Sequence, residues 1–222
     1  PIASGKISRK VAIVLVTIFT VIALSLSLLV SVPTFGISMV LISLIFGYDK
    51  YLKNTQAGPF TIAAARVMNV TLGTSASLNN IDSFPQFVIL VFVLTITFVY
   101  VTLIGFISKY EVQGFSENIK LYLILVVIAA IISSIILFTF IGFFKYESLI
   151  ILVLFTFIMA KAVYRIQKKD PIGIQQCVQK MIVSIIVLDS TYLSGIRGLE
   201  IGLAVLLLVV PLLILSRKMY MT

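Results

Sequence analysis

From Val11 to Tyr48 there are 38 consecutive residues without a charge. As one helix rising about 1.5 Å per residue, such a run far exceeds a hydrocarbon core of about 30 Å. It must turn back on itself, and Pro33 and Gly36 supply the break. The reading is a helix over 11–31, a tight turn at SVPT and a second helix over 34–50. The pattern then recurs. Gly58-Pro59 opens a helix over 59–79, and Phe84-Pro85 opens one over 86–108. Further helices follow over 120–143 and 148–166, then over 171–193 behind Pro171, and over 199–216 behind Gly198. The runs exceed the roughly 9–11 residues of a barrel strand and do not alternate, so helix is preferred.

Composition agrees. The chain is 60% apolar and 11% charged, with a mean hydropathy of +1.19. Soluble domains have about 45–50% apolar and about 25% charged residues. A soluble enzyme, a disordered chain and a secreted disulfide scaffold are excluded. The expectation is a single all-α domain over 1–222, a polytopic transmembrane bundle of about eight spans in the lipid bilayer.

Three absences narrow the chemistry. The chain has no His and no Trp, and Cys177 is its sole cysteine. Imidazole acid–base work, thiolate metal clusters and internal disulfides are out. Carboxylates, Lys, Arg, Tyr and amides remain. The net charge of +9 lies in short clusters between apolar runs, not along one basic face, so nucleic acid is not an expected partner.

The clusters instead mark one side of the membrane. Lys6, Arg9 and Lys10, then Lys50 and Lys53, Lys109 and Lys120, Arg165, Lys168 and Lys169, and Arg217 and Lys218 share one set of helix ends. The opposite turns hold Lys145 and Arg197. The positive-inside rule puts both termini and the 50–58, 109–119 and 166–170 loops in the cytoplasm of a cell-membrane protein. PIASGKISRK has no signal-peptide pattern, and a chain beginning at Pro1 reads as one with residues missing upstream.

Arg66 is the outstanding candidate. It lies in AAARVMNV, about 10 Å along a helix from Pro59, where a permanent charge needs a polar cavity or a partner. Asn69 and Gly73 follow on its face at i+3 and i+7. The alternative is a packing or snorkelling Arg. Upstream, YDKYLKNTQAGP sets Tyr48 and Lys53 at the cytoplasmic helix end, suited to phosphate oxygens or, more plainly, to anchoring and topology. SKYEVQGFSEN offers Glu111 and Glu117, a carboxylate pair that reads first as a solvated loop. Gln176 and Lys180 share a face at i, i+4, with Lys180 able to snorkel.

Together these segments resemble the intramembrane prenyltransferases of the UbiA superfamily. PIASGKISRK is similar to the family's P-x-x-x-G-x-[IV]-[ST] stretch, which follows its first aspartate motif. YDKYLKNTQAGPFTIAAARVMNVTLGTS is similar to its Tyr…Lys…Gly-Pro…Arg-x-x-Asn…Gly segment. The ISKYEVQG loop and the LDS tail look most like the EboC-type subgroup.

The resemblance implies a UbiA-like helical fold around a lateral cavity. It also implies transfer of a polyprenyl group from polyprenyl diphosphate to an aromatic or lipid acceptor. Mg²⁺, held by two aspartate-rich motifs, is the implied cofactor. Tyr48, Lys53, Arg66 and Asn69 fall on the family's substrate-binding positions. Two departures stand beside this. The first aspartate motif is expected upstream of Pro1, so residues 1–222 alone are expected to be inactive. Where the second should lie, Glu111 and Glu117 are the candidate metal ligands. The rival readings are a catalytically silent UbiA-fold protein that binds an isoprenoid lipid or scaffolds partners, and a transporter.

Overall fold

The computed structural model describes residues 8–76, 83–111, 114, 118–167 and 170–220, with backbone alone for 118–120 and 215–220. The described residues form helices and no strand. The chain divides into two compact units, 1–98 and 99–222.

In the first unit, α1 (Arg9–Val30) begins under Ser8, whose Oγ accepts from Val11 N at 3.3 Å. The turn expected at SVPT is one residue wide. Ser31 is fully extended (φ −172°, ψ 160°), and α2 (Val32–Gly47) starts at once, with Pro33 in its first turn. Pro is tolerated there because the first N–H groups have no intrahelical acceptor. Ser31 Oγ accepts from Thr34 N at 3.1 Å. Thr34 Oγ1 in turn meets Ser75 Oγ at 2.9 Å, tying the start of α2 to the end of α3 (Gly58–Thr74). The rest of the expected third helix, 77–79, lies outside the described residues.

The boundary between the units falls within α4 (Phe84–Ser108). The second unit continues with α5 (Asn118–Phe140), α6 (Ser148–Ile166) and α7 (Pro171–Arg197). α6 and α7 pack along each other, and the fully buried Phe155, Met159, Ile166, Ile174, Met181 and Leu188 lie between them and their neighbours. Tyr100 of α4 is completely buried here. Its ring stands edge-on to Phe155 at 5.6 Å, and its hydroxyl meets Ser184 Oγ at 2.5 Å.

Glycines set the helix ends. Gly142 (φ 87°) stops α5 three residues before the expected end. Gly198 (φ 111°) stops α7, which runs past the expected 193 to Arg197. At this turn Glu147 Oε2 accepts from Leu199 N at 2.6 Å and caps the next helix. The expected helix over 199–216 is two helices, α8 (Leu199–Leu206) and α9 (Val209–Tyr220). The cause is Pro211. It has no N–H to offer and its ring crowds the carbonyl four residues back, at Leu207, where the chain breaks.

Among the described residues, six helices are long and apolar enough to cross a membrane: Arg9–Val30, Val32–Leu52, Phe84–Ser108, Leu121–Phe140, Ser148–Ile166 and Pro171–Arg197. Of the eight spans expected, the other two are α3, with 17 residues, and the broken 199–216 segment. The chain is an all-helical integral membrane protein.

Candidate functional site

The first-unit site is built on the return from α2 to α3. α2 passes into a π-helical turn over Tyr48–Leu52, closed by Lys53 N donating to Tyr48 O at 2.8 Å. Such wide turns within helices occur often at functional sites. Thr55 N then donates to Leu52 O at 2.9 Å, and Gly58 N to Thr55 O at 3.2 Å. A Cβ on Gly58 would lie 2.8 Å from Leu52 O and 3.1 Å from Lys53 O. Glycine therefore lets α3 start directly against the backbone of the turn. Pro59 follows in the first turn of α3.

Tyr48 is half-buried and Lys53 exposed at the two ends of the π turn. On α3, Thr61, Ala63 and Ala65 are buried, Arg66 is half-buried, and Asn69 and Gly73 are exposed. Arg66 sits eight residues beyond Gly58, about 12 Å along the axis. Asn69 lies one turn further on the same side. The π turn packs against α3, so all four expected substrate-binding residues belong to one helical return.

The expected metal ligands fare differently. Glu111 is half-buried in the turn after α4, where its N donates to Ser108 O at 3.2 Å. Burial pushes its carboxyl above the usual carboxylate value. Glu117 lies outside the described residues. Among the described residues no three His, Cys, Asp or Glu side chains gather where they would hold a metal ion. The described donor set is thus Glu111 alone, short of a Mg²⁺ site.

The second unit gathers polar groups that were read separately. Lys180 Nζ donates to Lys161 O across the α6–α7 contact at 3.4 Å. Both line a cavity with Arg165, Gln176 and Gln179. The sequence reading found the Gln176/Lys180 face but took Arg165 as a topology mark and passed over Lys161. The signal was there: MAKAVYR places two cations four residues apart on one helix face.

The family model of the UbiA prenyltransferase family matches residues 1–186. The match takes in the π turn, Arg66, Asn69 and Glu111. No curated protein and no solved structure gives a significant match. The family implies prenyl transfer at a membrane from polyprenyl diphosphate, which accords with the six apolar helices among the described residues. The chain belongs to the UbiA prenyltransferase family.

Proposed function

We propose that this chain binds a polyprenyl diphosphate through Tyr48, Lys53, Arg66 and Asn69 and transfers its prenyl group to an aromatic or lipid acceptor. Both termini and the 50–58 loop lie in the cytoplasm of a cell-membrane protein, so the diphosphate is taken from the cytoplasmic side. The resemblance of the ISKYEVQG loop and the LDS tail supports a reading of the chain as one of the EboC-type subgroup.

The observation that carries the reading is the position of Arg66. It is half-buried on a helix that starts against the π turn holding Tyr48 and Lys53. In the reaction the allylic C–O bond breaks and diphosphate leaves with the electron pair. The acceptor's nucleophilic atom bonds to the prenyl carbon and then loses a proton. The developing charge on the leaving group needs fixed positive charge, which acts most strongly where water is excluded. The Arg66 fork can hold two phosphate oxygens at once, Lys53 adds a mobile ammonium, and Tyr48 and Asn69 add neutral donors. The apolar flanks of α2 and α3 leave the prenyl chain in a lipid-like setting. Mg²⁺ is proposed as a counter-ion that would neutralise further diphosphate charge, while the chain's own cations carry the steps.

Titrating the intact protein with a prenyl diphosphate tests this. Arg66→Lys keeps charge but loses the fork, and Arg66→Met loses both. Affinity should fall for Lys and fall at least about tenfold for Met, since a hydrogen bond to a charged group contributes about 1.5–3 kcal/mol. Unchanged affinity in a folded Arg66→Met protein would return Arg66 to a structural role.

A further inference from the structure

The second unit holds a cavity of about 950 Å³ between α6, α7 and α9, at the upper end of the range for small-molecule sites. Its two ends differ chemically. One carries Lys161 and Arg165 of α6 with Lys180, Gln176 and Gln179 of α7. The other is apolar, with Leu154 of α6, Val183 of α7 and Leu212 of α9 among its walls.

Three cations at one end need an explanation. Lys161 and Arg165 are four residues apart on α6, where like charges repel. The Lys180 to Lys161 carbonyl bond, at 3.4 Å, brings a third cation to the pair. No Asp or Glu is among the residues that line the cavity. Asp170, the acid nearest Lys161 and Arg165 on the chain, accepts from Gly173 N at 3.0 Å as the cap of α7. Lys161 Nζ lies 4.1 Å above the Phe157 ring, itself part of the wall, a contact that favours keeping the charge beside the cavity.

Depth adds a constraint. Lys161 lies five residues before the end of α6 and Lys180 nine residues after the start of α7. At about 1.5 Å per residue these are about 8 and 14 Å in from the helix ends. Lys180 therefore leans toward the helix ends to reach the Lys161 carbonyl, as a snorkelling side chain does. The cationic end is the one nearer the end of α6 and the start of α7, and the apolar end lies further along both helices.

We propose that this cavity binds one amphiphile with a net anionic phosphate head, its head held by Lys161, Arg165 and Lys180 and its chain laid against Val183 and Leu212. Arg165 offers the planar fork that suits phosphate, the two lysines add charge, and the glutamine amides add neutral donors. The site uses none of the residues proposed to hold the substrate diphosphate. A membrane phospholipid and a prenyl monophosphate share this chemistry.

Native mass spectrometry of the intact protein tests it, with phosphatidylglycerol, phosphatidylcholine and a prenyl monophosphate as probes. One phosphatidylglycerol or one prenyl monophosphate should be retained per chain, with phosphatidylcholine at least about tenfold weaker. Whichever anionic probe displaces the other identifies the source of the phosphate. The combined Lys161→Met, Arg165→Met and Lys180→Met variant should lose at least about tenfold in retention. Because three changes in one cavity wall can impair folding, Leu212→Trp serves as a second variant. It fills the apolar end, keeps every cation, and should also abolish retention. Equal retention of phosphatidylcholine, or undiminished retention in a folded Leu212→Trp protein, would overturn the proposal.

Discussion

The two units handle helix packing in opposite ways. In the first, α1 buries 6% of its most apolar stretch, and the α2 segment through Leu52 buries 11%. In the second, α6 buries 39% and α7 44%. Several glycines inside the helices repeat the contrast, although Gly58 at the start of α3 and Gly142 after α5 do not. A Cβ on Gly36, Gly47 or Gly73 would meet nothing within 4 Å, whereas one on Gly202 would lie 2.7 Å from Ser194 Cβ and 2.9 Å from Ser190 O. Polar side chains follow suit. Arg66 and Asn69 sit along the side of one helix, while Lys161, Arg165 and Lys180 converge from two helices on one cavity. Helices with open flanks can display a polar face to a lipid-borne ligand. Tightly paired helices can enclose one.

The largest expected effect breaks the close pairing. Gly202→Leu puts a side chain where Ser194, Ile151 and the Ser190 carbonyl already stand. Overpacking of this kind costs about 1–3 kcal/mol, and the Ser190 Oγ bond to the Gly202 carbonyl would go with it. Thermal unfolding in detergent should show a clear drop in midpoint. Gly36→Leu, with open space around it, should stay within about 0.5 kcal/mol of the parent. Equal damage from both would erase the contrast between the units.

A smaller effect is expected at Tyr100. Tyr100→Phe removes the hydroxyl that meets Ser184, but Ser184 Oγ keeps its bond to Met181 O at 2.8 Å. Neither partner is stranded, so the loss should be about 1 kcal/mol, read as a modest fall in unfolding midpoint. A loss beyond about 3 kcal/mol would mean that the hydroxyl anchors more than this pair.

How much of this was legible follows from the range of each signal. Ser148–Ile166 matches the expected 148–166 at both ends, because apolar periodicity and local breakers decide it. The return at Gly58-Pro59 was legible for the same reason. The π turn was not, since its wide hydrogen bond depends on how α2 meets α3. The break at Leu207 was written in Pro211 but hidden by the unbroken apolar run around it. In the site, Arg66 and Asn69 stand on one helix and could be paired by counting. Lys161 and Lys180 are 19 residues apart on different helices, and only packing joins them.

The smallest effect concerns Glu111. Burial raises its carboxyl pKa above the usual 4.5, so the folded protein binds that proton more tightly than the unfolded chain. Its contribution to stability is therefore full below pH 4.5 and declines as pH rises through the higher folded value. Glu111→Gln should flatten stability across that window and leave it unchanged at more acidic pH. A steeper slope in the variant would reverse the assignment.

The account's central claim is that this membrane protein recognises the diphosphate of a prenyl donor. Equilibrium binding to the intact protein in lipid nanodiscs, comparing a prenyl diphosphate with the matching prenyl alcohol, tests it most directly. The two ligands share the chain and differ in the charged head. The account predicts at least about a tenfold preference for the diphosphate, lost in Arg66→Met. Equal affinity for the two ligands would contradict it.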